Sequence, residues 1–216
     1  MNVAIADDIS IPDDPSDDAL EQSLRRFRSQ LTPPTQLPGW PPPADVHYVV
    51  AELPIGRMMI ATRSDGALLS STFLAKRAEE RSIDRLARVL SPGVVRGGEG
   101  PEAVVRQLEE FLAGQRRAFD LQIDDSLATP FQRTVLRQLA SSVGYGETTS
   151  YGALAAAAGK PGAARAVGST LGANPLCVVV PCHRVLAGSG SLNGYAGGPD
   201  AKRYLLELEQ NARHEA

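Results

Sequence analysis

The sequence predicts an α+β protein, in which a small antiparallel-sheet N-terminal domain precedes a mostly helical C-terminal domain with a helix-turn-helix. Three observations predict it. Short strand-like runs cluster between His47 and Phe73. Apolar residues take up helical spacing from about Val104 onward. Two short helical segments after Ser150 are separated by the tight turn Gly159-Lys160-Pro161-Gly162.

Residues 1–46 read as an acidic, Pro-rich extension. Leu20, Leu24, Phe27 and Leu31 lie at helical spacing, and TPPTQLPGWPPPA favours an extended linker. An N-terminal α/β domain is expected over 47–126. Its strands are HYVVAEL, RMMIAT and ALLSSTF, the last two joined by the turn signal Ser64-Asp65-Gly66. A helix is expected over Lys76 to Leu90, ended by the loop SPGVVRGGEG. Another should begin near Pro101, with Val104, Leu108, Phe111 and Leu112 on one face and Gly114 as its cap. Alternation at Phe119, Leu121 and Ile123 then suggests a closing strand.

The C-terminal domain is expected over 127–216. Thr129-Pro130-Phe131-Gln132 reads as a capping box with Pro at N1, opening a helix to about Ser142. A second helix starts at Ser150 and stops at Gly159. A third runs from Pro161 to about Gly172.

Composition limits the function classes. The chain has 216 residues, 43% of them hydrophobic, enough to bury a core. Its start has neither a basic n-region nor an apolar h-region, and no apolar run approaches the ~20 residues of a membrane span, so a cytoplasmic protein is expected. Cys177 and Cys182 are the two cysteines, and His47, His183 and His214 are far apart, so neither a disulfide framework nor a metal site is expected. Net charge is −3, but seven acids and no base lie in residues 1–21, leaving +4 on the rest. That distribution tolerates a nucleic-acid partner without demanding one.

On the third short helix, Ala164, Val167 and Leu171 form one stripe and Arg165, Gly168, Ser169 and Gly172 the other. One cation on a face nearly stripped of side chains suits a minor groove about 6 Å wide. It also suits a helix packed tightly on a neighbour, with Arg165 in a surface ion pair.

Pro181-Cys182-His183-Arg184-Val185 follows the apolar run Leu176 to Val180, which places Cys182 at the end of an expected buried strand. A neighbouring imidazole can favour the reactive thiolate. Adjacent residues of an extended chain face opposite ways, however, so cooperation with His183 requires a backbone turn or a bridging water. The plain reading of Cys182 is a small buried hydrophobe, and Cys177 is read that way.

From Thr129 to Glu209 the chain resembles the O6-alkylguanine-DNA alkyltransferase family (methylated-DNA–protein-cysteine methyltransferases). The motifs are TPFQ, YGETTSYGALA, AARAVG, VPCHRV, GYAGG, and Lys202 followed by LLELE, with PIGRM and QLEEFLAG upstream. The resemblance implies irreversible, single-turnover transfer of an alkyl group from O6-alkylguanine in duplex DNA to Cys182, with base flipping and no cofactor. It implies that His183, oriented by Glu209, helps form the thiolate through water. Tyr151 would promote nucleotide rotation and donate a proton to guanine N3, while Arg165 would fill the gap left in the duplex. Ala164 and Ser169 would lie on the DNA-binding helix beside Arg165. Asn174 would orient the turn before Cys182. Val185, Tyr195, Ala196 and Gly197 would wall the base pocket.

The partner implied is double-stranded DNA, met by a monomer in the cytoplasm and at the nucleoid. The range of adducts, O4-alkylthymine and assembly along DNA stay open. Taken alone, Tyr151 could be core and Glu209 a solvated helix residue. Leu136, Gly144 and Ala196 depart from residues common in the family. The rival function is a non-enzymatic binder of alkylated DNA of the alkyltransferase-like type, which lacks the cysteine; a cysteine hydrolase is a further rival.

Overall fold

The apolar run Met58-Met59-Ile60-Ala61 has no polar alternation because both faces of its strand are covered. The computed structural model describes residues 45–75, 78–90, 93–188, 192 and 194–214, with 212–214 described by backbone alone. The extension expected over 1–46, with its helix, lies outside the described residues except for its last two positions, as does the side chain of His214.

Strands β1 (Val46–Leu53), β2 (Gly56–Arg63) and β3 (Leu68–Phe73) form an antiparallel meander. Gly66, at φ 90, turns the second hairpin, helped by the Asp65 carboxylate accepting from Ala67 N–H at 3.1 Å. On one face, Met58, Ile60 and Leu68 pack with Val104, Leu108, Phe111 and Leu112 of α2 (Glu99–Leu112). On the other, Met59, Ala61 and Leu69 pack with Leu86 of α1 (Glu79–Val89). Each fully buried Leu, Met or Phe contributes about 1.5–3 kcal/mol.

The expected loop SPGVVRGGEG instead contains β4 (Val94–Arg96), parallel to β1, which gives the sheet order β3-β2-β1-β4. Two apolar segments expected as strands are not strands. Ile123 forms an isolated bridge to Leu68, and Leu176 one to Ser71. Together they cover the open edge of β3, which would otherwise present unpaired N–H and C=O groups.

The first helix of the C-terminal half, α3 (Pro130–Ser142), starts at the expected capping box. Thr129 Oγ1 accepts from Gln132 N–H at 3.3 Å, and Gln132 Oε1 from Thr129 N–H at 2.9 Å, a cap worth about 1 kcal/mol. β5 (Thr149–Ser150) leads into α4 (Tyr151–Ala157), where the Ser150 hydroxyl accepts from Ala153 N–H. The helix expected from Pro161 begins later, as α5 (Ala164–Gly172), because Gly162 at φ 87 leaves the helical region. Val167 and Leu171 enter the core with Val135, Leu136, Leu139 and Leu154. A 3-10 turn (Cys182–Arg184), β6 (Val185–Leu186, parallel to β5) and α6 (Gly198–His214) complete the described chain. Among the described residues no helix is long and apolar enough to cross a membrane.

Candidate active site

The backbone before Cys182 reverses sharply. Val178 holds φ 72, a conformation β-branched side chains rarely adopt, and Cys177 bridges to Val180 across the turn. The surrounding structure fixes this turn from two sides. Ser71 of β3 donates its backbone N–H to Pro175 O at 2.8 Å and its hydroxyl to Cys177 O at 2.9 Å. Asn174, also buried, accepts from Leu176 N–H at 2.9 Å and donates its amide to Val180 O and to Cys182 Sγ, both at 3.2 Å.

Cys182 then enters a 3-10 turn, so it and His183 do not alternate as an extended chain would require. Both are buried, Cys182 at 4% exposure and His183 at 0%. The Cys182 thiol is held below its ordinary pKa chiefly by a hydrogen bond from Cys177. Burial opposes the shift, and Asn174 and the Lys202 ammonium reinforce it. Cys177 moves the other way, well above the usual thiol range, through that same hydrogen bond and burial. The pair therefore divides into a sulfur disposed to ionise and a sulfur that keeps its proton.

Glu209, which taken alone reads most simply as a solvated helix residue, is buried at 1% exposure. Its carboxylate accepts from His183 Nε2 at 2.8 Å, from Arg184 Nε at 2.9 Å and Nη2 at 3.0 Å, and from Gly146 N–H at 2.9 Å. Burial pushes its pKa up, but the bonds and charges of His183 and Arg184 outweigh burial and bring it to about 2. An ionised Glu209 can only accept, so His183 Nε2 carries a hydrogen. Burial also lowers the His183 pKa, favouring the neutral ring, which leaves Nδ1 as a bare acceptor. Nδ1 is buried and has no hydrogen-bond partner among the described residues.

Lys202 is buried at 1% exposure and donates to Val185 O at 2.7 Å. This ties α6 to β6 and brings a cation near enough for its charge to act on the Cys182 sulfur. Tyr195 is buried and meets Phe73 edge-on at 5.5 Å and the His183 ring at 6.3 Å. Gly197 admits the Phe73 ring, whose Cζ would stand 2.6 Å from an added Cβ. Ala196, between them, is exposed.

Tyr151 joins the site to the third short helix. Its ring lies 3.8 Å from where a Gly168 Cβ would be, and burial, followed by the charge of Cys182, raises its pKa, so it stays a phenol. On α5 Arg165 and Ser169 are exposed and Ala164 is half-buried. The Ser169 hydroxyl donates to Arg165 O at 3.2 Å, and among the described residues the Arg165 guanidinium makes no ion pair.

The structure thus brings Cys182, His183, Glu209, Asn174, Val185 and Tyr195 into one buried cluster. Tyr151 lies at its margin, and Arg165 and Ser169 stand apart on the surface. Sequence reasoning assigned no role to Arg184, Lys202, Cys177 or Phe73. Arg184 and Lys202 did stand inside the motifs, where a cation at a position that folds inward was the available signal. No sequence signal paired Cys177 with Cys182 or Phe73 with Gly197.

Comparison with known proteins gives consistent results. Residues 130–211 match the family model described as 6-O-methylguanine DNA methyltransferase, DNA binding domain. A methylated-DNA–protein-cysteine methyltransferase of Mycobacterium tuberculosis is 40% identical over 166 residues, 77% of this chain and 93% of that protein. One of Methanosarcina acetivorans is 35% identical over 164 residues, 76% of this chain and 98% of that one. The crystal structure of Mycobacterium tuberculosis O6-methylguanine methyltransferase superposes with a TM-score of 0.66 at 38% identity, covering 77% of this chain and 94% of that one. That of Mycobacterium tuberculosis OGT in complex with DNA gives 0.64 at 36% identity, with the same coverages.

Proposed function

Because the chain belongs to the methylated-DNA–protein-cysteine methyltransferase family, we propose that it repairs duplex DNA by moving an alkyl group from O6 of guanine to Cys182. The observation that carries the assignment to Cys182 is its setting. It is a buried sulfur that accepts from Asn174, lies beside the Lys202 ammonium, and is followed by a histidine whose other nitrogen is locked to Glu209.

The chemistry follows from that setting. The Cys182 proton passes through a water to the free Nδ1 of His183, whose Nε2–H stays on Glu209. The thiolate attacks the alkyl carbon in line, a C–S bond forms, and the C–O6 electrons return to guanine. Tyr151, a phenol at neutral pH, supplies the proton that guanine N3 takes up as it leaves. The thioether has no route back to a thiol, so each molecule acts once.

Duplex DNA shields O6, so the base must leave the stack at a cost of a few kcal/mol. Arg165, exposed and without an ion pair among the described residues, is free to enter the duplex. Ser169, Ala164 and Gly172 leave room for the backbone to approach. The extruded base would rest between Tyr195, Gly197 and the backbone of Val185. In this reading residues 47–126 brace the pocket through Phe73, residues 127–216 carry the chemistry, and the protein works as a monomer in the cytoplasm, at the nucleoid.

The test is intact-mass analysis after incubation with excess O6-methylguanine duplex. One methyl should appear on the peptide containing Cys182, and Cys182→Ala should take up none while still binding DNA. An unmodified thiol would leave the non-enzymatic binder as the better reading.

A further inference from the structure

Cys177 forms and breaks no bond in alkyl transfer, yet folding sets it against the sulfur that does. The turn over Val178 and Val179 doubles the chain back, so that Cys177 bridges to Val180, whose carbonyl also accepts from Cys182 N–H at 2.8 Å. Asn174 fastens both ends, its side-chain amide donating to Cys182 Sγ at 3.2 Å and its backbone carbonyl accepting from the Cys177 thiol at 3.4 Å. Both thiols are free and buried, both hydrogen-bond to Asn174, and each sulfur shifts the ionisation of the other. A methyl acceptor needs one sulfur, and a well-packed core at residue 177 would be served as well by Ala or Val.

We propose that Cys177 is a resolving thiol: when a peroxide oxidises Cys182, Cys177 closes a Cys177–Cys182 disulfide that withdraws the alkyl acceptor reversibly. In the first step the Cys182 thiolate attacks one peroxide oxygen. The O–O bond breaks, and the departing hydroxide takes a proton and leaves as water, so Cys182 becomes a sulfenic acid. In the second step the Cys177 sulfur attacks the Cys182 sulfur. The S–S bond forms, the S–O bond breaks, and the Cys177 proton leaves with the hydroxyl as a second water. The two thiols lose two electrons in total, and the peroxide gains them.

The electrostatics order these steps. Before oxidation, the Cys182 sulfur holds the Cys177 proton in place by hydrogen bond and by charge. A neutral sulfenic acid carries no such charge, so oxidation of the first sulfur lowers the barrier to ionising the second. Access favours a small oxidant. Both sulfurs are buried, and Cys182, the one disposed to ionise, is the one a peroxide oxidises first. Closure to the ~2.05 Å of a disulfide joins two sulfurs that already share Asn174 as a hydrogen-bond partner on either side of one tight turn. In a reducing compartment such a bond is transient, as a redox-responsive bond should be. Without Cys177, the sulfenic acid would be exposed to further oxidation, which is irreversible. The turn therefore protects a protein that can be used only once from being spent on an oxidant.

The proposal rests on Cys182 being the alkyl acceptor, and methyl uptake by untreated protein tests that reading separately. The full chain is treated with hydrogen peroxide, the free thiols are blocked with iodoacetamide, and peptides are mapped by mass. The expected result is a peptide cross-linked between Cys177 and Cys182, at least a tenfold loss of transfer to O6-methylguanine duplex, and recovery of most of it with dithiothreitol. Cys177→Ser, scored against its own starting activity, should lose transfer to peroxide without recovery and should carry sulfinic or sulfonic acid at Cys182. Wild-type protein with both thiols still alkylated, a bond from Cys182 to a second chain, or equal recovery in Cys177→Ser would overturn the proposal. The wild-type peptide map decides the question even if the variant fails to fold.

Discussion

Replacing Glu209 by glutamine removes one oxygen acceptor and one buried charge from a site that satisfies four donors. His183 Nε2, the two Arg184 nitrogens and Gly146 N–H all converge on that carboxylate. Glutamine keeps one acceptor oxygen and turns an NH2 toward groups that can only donate, leaving Arg184 buried without its counter-charge. Holding the carboxyl at about 2 instead of its ordinary 4.5 corresponds to about 3 kcal/mol at neutral pH. That agrees with the ~3–5 kcal/mol that removal of one partner from a buried pair costs. Because the folded pKa is depressed, this stability is fully present above about pH 4.5 and is lost as pH falls toward 2. Urea titrations of Glu209→Gln and wild type should therefore differ by about 3 kcal/mol at pH 7 and converge as the pH approaches 2. Transfer measured where the variant is still folded should slow about a hundredfold, since His183 loses the partner that fixes its tautomer. Urea midpoints that coincide at pH 7, or curves that stay parallel down to pH 2, would refute the account of Glu209 as the buried anchor.

Other substitutions probe the remaining contacts. Lys202→Met removes the ammonium beside Cys182, so the thiol pKa should rise and the rising limb of the pH–rate profile for transfer should move to higher pH. An unchanged limb would mean that Lys202 only holds Val185. Gly197→Ala drives a Cβ to 2.6 Å from Phe73 Cζ, which should destabilise the fold by about 1–3 kcal/mol and cut transfer at least tenfold. Adding Phe73→Ala should restore part of that transfer, and no restoration would place the fault elsewhere. Arg165→Ala should impair repair in duplex far more than reaction with free O6-benzylguanine, because the free base needs no extrusion. Equal losses would remove Arg165 from the flipping step.

Features that depend on neighbours along the chain were legible in the residues. The capping box at Thr129 and Gln132, the Ser150 cap, the apolar stripes of α2 and α5 and the hairpin at Gly66 are local rules, and they appear where the residues dictate. The ordered motifs around Cys182 likewise carried the family. Pattern failed where a short apolar run could be satisfied in more than one way. Leu176 to Val180 reads as a strand by composition, but its edge-on pairing with β3 and the turn at Val178 come from partners about a hundred residues away.

Packing decides which charged residues turn inward, and local pattern does not record it. Glu209, Arg184 and Lys202 are of types that usually stay in water, and only convergence of α6, the 3-10 turn and the loop at Gly146 lets them satisfy one another in the core. The meeting of Cys177 with Cys182, and of Phe73 with Gly197, was decided at the same level. A contact between distant segments is set by the packing of everything between them, and no local periodicity records it.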